Sequence, residues 1–111
     1  MNKHFRLSDF SITYSTRTRA DEIANRLSEF TKTLQNDDIV VIDFTGVEAI
    51  SYSFLDQFFC NLNKLSLLQY NRISMGGWSD ELLKVIKHSL EHRNCTYSQS
   101  DDALTLVCHS N

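Results

Sequence analysis

The sequence predicts an α/β fold: a four- or five-stranded mixed, largely parallel sheet with three helices. Three observations carry that prediction. Segments with period-two or short continuous apolar patterns alternate with segments whose apolar residues fall three and four apart, in the order strand–helix–strand–helix–strand–helix–strand. The run Ile39 to Phe44 is apolar without alternation apart from Asp43, as expected of a central parallel strand covered on both faces. The chain has 111 residues, no proline and three glycines, which predicts one domain over residues 1–111 without a linker.

The elements follow in order. Phe5, Leu7, Phe10, Ile12 and Tyr14 predict one bent strand or a pair of strands around Ser8-Asp9. Ala20, Ile23, Ala24, Leu27, Phe30 and Leu34 predict a helix from about Arg19 to Gln35, with Thr18 as N-cap and Asp21 and Glu22 in its first turn. Asn36-Asp37-Asp38 ends it, and the apolar strand follows, with Asp43 at its carboxyl end and a turn at Thr45-Gly46.

The second helix is expected to begin near Ser53, because Ser53 and Asp56 form an S-x-x-D pattern close to a capping box. Phe54, Leu55, Phe58, Phe59, Leu62 and Leu65 span a wide apolar arc, so this helix should be deeply packed. Arg72 to Met75 reads as a short strand closed by Gly76-Gly77. Ser79, Asp80 and Glu81 open a third helix, which runs out near His92-Arg93-Asn94. Asp101-Asp102 precedes a last strand, Ala103 to Cys108.

Composition narrows the function classes. The net charge is −3 and no basic run occurs, so nucleic acid is a poor partner. No Gly-rich phosphate loop is present, and no nucleophile, base and oxyanion donor can be assembled, so a non-enzymatic role without a cofactor is expected. Cys60, Cys95 and Cys108 form no CxxC pair and read as reduced thiols. No secretory signal or membrane-length apolar stretch is evident, and a cytoplasmic location is expected.

The segment Val41-Ile42-Asp43-Phe44-Thr45-Gly46-Val47-Glu48-Ala49-Ile50-Ser51-Tyr52-Ser53-Phe54-Leu55-Asp56 resembles a STAS-like domain family of largely undefined function. That family's core reads aspartate–Phe–x–Gly–Val, then Ile-Ser-x-Ser-Phe-x-Asp. Thr16-Arg17-Thr18-Arg19-Ala20 resembles the same family's approach to its first helix. More distantly, the segment is similar to the STAS domains of bacterial anti-sigma factor antagonists. In those a serine at the start of the following helix is phosphorylated. Carried over by position, Asp43 matches their first aspartate and Ser53 the phospho-acceptor, with Ser51 a second candidate. Ser51, Tyr52 and Phe54 depart from the antagonist pattern, standing in place of an aspartate, a serine and a glycine.

The resemblance implies a bacterial regulatory module that docks a partner protein, a histidine-kinase-like ATPase of the anti-sigma type. The expected contact residues are Asp43, Gly46, Glu48, Tyr52, Ser53, Phe54 and Asp56. Two other classes stay open: a nucleotide-sensing module using Arg17 and Arg19 as anion ligands, and an oligomerising domain pairing Phe5–Tyr14 across a homodimer.

Individual residues keep paired readings. Ser53 is a helix cap, or a cap that is also a switch. Asp43 and Asp56 could form an acid–base or Mg²⁺ pair, or Asp43 could simply cap loop amides. His88 and His92 lie one helical turn apart, which suits a metal, but they lack a third ligand and read better as a solvated face. Trp78 is a partner anchor or a lid on the core.

Overall fold

The computed structural model describes residues 2–35, 37–64, 73–92, 95–100 and 103–108, the last two segments as backbone. Leu65, Arg72, Arg93, Asn94, Asp101 and Asp102, all used in the sequence reading, lie outside the described residues. The elements are β1 (Asn2–Arg6), a single 3₁₀ turn (Leu7–Asp9), β2 (Thr13–Tyr14), α1 (Arg17–Thr31), β3 (Ile39–Asp43), β4 (Ala49–Ile50), α2 (Tyr52–Lys64), β5 (Ile73–Gly76), α3 (Asp80–His92), β6 (Cys95–Ser100) and β7 (Ala103–Cys108).

Five strands form one sheet in the order β1-β3-β5-β7-β6. β1, β3 and β5 run parallel, with Phe5 opposite Ile42 and Ile42 opposite Met75. β7 and β6 complete the sheet antiparallel. β2 and β4 pair separately as a two-stranded parallel ribbon. The α/β class and the largely parallel pairing therefore hold, and the main sheet has five strands, the upper end of the four or five expected, while the separate β2–β4 ribbon brings the described strands to seven.

The extra strands have simple origins. The period-two run at the start is interrupted at Leu7–Asp9, where the amides of Phe10 and Ser11 both donate to the Leu7 carbonyl, so β2 leaves the main sheet. β6 reads Cys-Thr-Tyr-Ser-Gln-Ser, a polar edge strand with no apolar pattern to announce it. Its register sets Cys95 opposite Cys108, so two cysteines far apart in sequence are cross-strand neighbours.

β3 corrects another expectation. Val40 and Ile42 are buried, but Ile39 is exposed and Val41 half-buried. The buried apolar set on β1, β3 and β5 is Phe5, Val40, Ile42, Ile73 and Met75, one alternate set and hence one face. All three helices join that same core, through Ile23 and Leu27 of α1, Phe58 and Leu62 of α2, and Ile86 and Leu90 of α3. The opposite face carries His4, Arg6, Val41 and Ser74, which are exposed or half-buried.

Helix caps sit earlier than the sequence suggested. The Thr16 hydroxyl, not Thr18, accepts the Arg19 amide at 3.1 Å, so α1 starts two residues early. Asp21 is then too deep for the first turn. It instead accepts hydrogen bonds from Gln57 at 3.1 Å and Asn61 at 3.0 Å, clasping α1 to α2. Ser79 caps α3 through the Leu82 amide at 3.2 Å, as its position suggested.

Candidate functional site

Chain direction puts the loop 44–51 at the carboxyl end of β3, where Asp43 closes the strand. The Asp43 carboxylate accepts the Thr45 amide at 2.9 Å, and His4 Nδ1 and Arg6 Nε each lie 3.6 Å from its other oxygen. Burial pushes this carboxyl up, but the Thr45 hydroxyl and amide, then Arg6 and His4, outweigh burial and hold it below the ordinary carboxylate value. Gly77 lies directly against this latch at φ +81, and a Cβ there would collide with Thr45 Oγ1 and Asp43 Oδ1. Asp43 is thus a loop cap buried on the sheet's second face, and it does not join the exposed surface of residues 46–53. A cavity of about 280 Å³ beside it is lined by His4, Val41, Asp43, Thr45 and the 75–77 turn.

The loop itself is held by backbone bonds to the β2 segment. The amides of Glu48 and Ser51 donate to the carbonyls of Ile12 and Tyr14, each at 2.8 Å. Gly46 turns the chain at φ +87, with Ser8 close beneath it.

α2 then starts at Tyr52, and its cap is Ser51. The Ser51 hydroxyl accepts the Phe54 amide at 3.1 Å and donates to the Ser15 carbonyl at 2.9 Å. Ser53 is therefore not the cap; it is the second helical residue, and it is exposed. Tyr52 is 51% exposed, and its ring lies 5.1 Å from His88 of α3. Ile12, 49% exposed, sits beside Glu48 and Ala49. Sequence reasoning missed Ile12, because the run Phe10, Ile12, Tyr14 read as one inward face. Ile12 lies in a bend just before β2, outside the strand, so the strand's alternation does not reach it: Tyr14 is buried and Ile12 is not.

The other expected contacts separate. Gly46, Glu48, Tyr52 and Ser53 are exposed. Phe54 is fully buried, 4.8 Å from the Tyr14 ring and 5.5 Å from Phe58, so it belongs to the core and cannot meet a partner. Asp56 faces α3, where it accepts the buried Ser89 hydroxyl at 3.2 Å. Asp43 and Asp56 therefore do not share a site. Tyr52, Asp56, His88, Ser89 and His92 line a small cleft of about 160 Å³ between α2 and α3. No grouping of three His, Cys, Asp or Glu side chains suited to a metal is present among the described residues.

Arg17 is exposed at the first position of α1. Arg19 is paired with Glu22 at 2.8 Å and reaches the Phe10 carbonyl at 3.4 Å. Neither arginine lines the cavity at the strand ends. Trp78 is half-buried against Phe44 at 5.9 Å, as a lid would be. No described helix is long and apolar enough to cross a membrane.

The segment that builds this loop and helix start is the part of the chain with a recognisable relative. No curated protein and no solved structure matches the chain. Residues 27–64, running from the last turns of α1 through β3 and the loop to the end of α2, match the family described as a STAS-like domain of unknown function.

Proposed function

We propose that this chain is a non-enzymatic regulatory module that docks a partner protein through the exposed residues 46–53. The supporting observation is the amino end of α2. There a half-exposed tyrosine and a solvent-facing serine follow an exposed loop, in which Glu48 and Ala49 lie beside the exposed Ile12 just before β2. Aromatic anchors ringed by polar groups are the usual energetic centres of protein interfaces.

Ser53 is the preferred site of a phosphorylation switch. Ser51 spends its hydroxyl on the cap and on Ser15, so modifying it would break the helix start. A phosphate on Ser53 would lie at the positive end of the α2 dipole and add about −2 charge to the docking surface. By resemblance to anti-sigma factor antagonists, the partner is a histidine-kinase-like ATPase acting on this protein in a bacterial cytoplasm. Incubating the chain with such ATPases, Mg²⁺ and ATP, then mapping phosphate by mass spectrometry, tests the switch. Phosphate on Ser53 supports it, and phosphate on neither serine with any of these ATPases sinks it.

The small-ligand reading draws support from the cavity at the carboxyl ends of β1, β3 and β5, the usual place for ligands in α/β sheets. The Asp43 carboxylate in its wall favours a cationic ligand over a nucleotide. A thermal-shift series with nucleotides and with small amines separates the two.

A further inference from the structure

We propose that the free edge of β1 takes an added strand: an extended partner peptide that carries an apolar side chain and, two residues away, a carboxylate. This surface is separate from residues 46–53, and the inference stands without the function proposed above.

β1 ends the sheet, and among the described strands only β3 pairs with it. Alternate residues of such a strand turn N–H and C=O groups outward, ready to bond another chain. A cavity of about 460 Å³ touches His4, Phe5 and Arg6 in succession. Successive strand residues point to opposite faces, so a cavity touching all three runs along the strand's outer edge. Its far wall is Arg26, Glu29 and Phe30, one face of α1, and its end is Asp9 and Phe10. An edge strand beside a helix is the geometry of peptide recognition by strand addition.

The chemistry of the groove selects the peptide. Phe10 and Phe30 are half-buried and lie 5.4 Å and 5.5 Å from Phe5, forming an apolar floor. Arg26 stands 4.9 Å over the Phe10 ring, and no described carboxylate is paired with it. Glu29 is already paired with Lys32 at 3.0 Å. The uncommitted charge on the helix side is therefore positive. On an added strand, side chains two residues apart share a face, so one would meet the Phe10–Phe30 floor and the next would reach Arg26.

The test is selection of a phage-displayed random nonapeptide library on the intact chain, followed by binding titrations of the enriched synthetic peptides. The expected peptides carry an acidic residue two positions from an apolar one. They should bind roughly tenfold more weakly to Arg26→Glu, an exposed substitution that leaves the core untouched. Alternate N-methylation of their backbone should abolish binding, and their addition should slow amide exchange in residues 2–6. Enrichment of nothing, equal binding to Arg26→Glu, tolerance of N-methylation, or closure of the edge by a second copy of the chain would each overturn the proposal.

Discussion

The Ser51 hydroxyl accepts the Phe54 amide at 3.1 Å, which makes Ser51 the cap of α2 and leaves Ser53 exposed on the helix's first turn. Two serines two residues apart thus have opposite duties, one structural and one available. Ser51→Ala should cost about 1 kcal/mol, while Ser53→Ala should stay within about 0.5 kcal/mol of the parent. Urea denaturation of the two variants compares them directly.

Gly77 and Gly46 both have positive φ, yet they should respond differently to alanine. At Gly77 a Cβ would meet Thr45 and Asp43 as well as an unfavourable backbone, so Gly77→Ala should lose about 3 kcal/mol and loosen the loop. At Gly46 the nearest atom is the Ser8 Cβ at 3.1 Å, and a loss of about 1 kcal/mol is expected. Thermal melts of both variants will rank them.

Asp43 should give the fold an acid-sensitive limb. Its carboxyl lies below the ordinary value in the folded state, so its contribution is present above the unfolded pKa, about 3.9, and is lost as pH falls through the lower folded value. Tyr14 acts at the other end. Burial chiefly raises its phenol, with Asp9 adding to that and Arg19 and Ser11 opposing it. Its share of stability is therefore present below about pH 10 and lost as pH rises through the folded value. Denaturation midpoints measured across pH should show both limbs, with Asp43→Asn flattening the first and Tyr14→Phe the second.

Phe54 should behave as a core residue. It is fully buried between Tyr14 and Phe58, so Phe54→Ala should cost about 3–5 kcal/mol. Tyr52→Ala, at the exposed neighbouring position, should leave the denaturation midpoint nearly unchanged.

Much of the architecture was legible because helical and strand periodicities differ and this chain alternates them. The long amphipathic segments gave α1, α2 and α3 with ends displaced by a few residues. At the amino ends those displacements arose where Ser or Thr recurs two residues apart, as at 16 and 18 or 51 and 53, because either hydroxyl can cap and only the backbone geometry decides. β6 escaped because an edge strand can be polar and still be held by its ladder bonds. The placement of Asp43 was half legible: capping of its own loop was foreseen, but its neighbours His4 and Arg6 come from β1 and Gly77 from the turn after β5. For the same reason Ile12 and His88, which flank residues 46–53 from distant segments, had no local signal.

The most direct test of the docking surface is a binding titration of the wild type, Tyr52→Ala and Ser53→Asp against purified histidine-kinase-like ATPases, with folding of each variant confirmed by its melting curve. A partner should bind the wild type, lose about tenfold or more in affinity for Tyr52→Ala, and lose affinity for Ser53→Asp. A partner that binds all three equally would contradict the assignment of residues 46–53 as the docking surface.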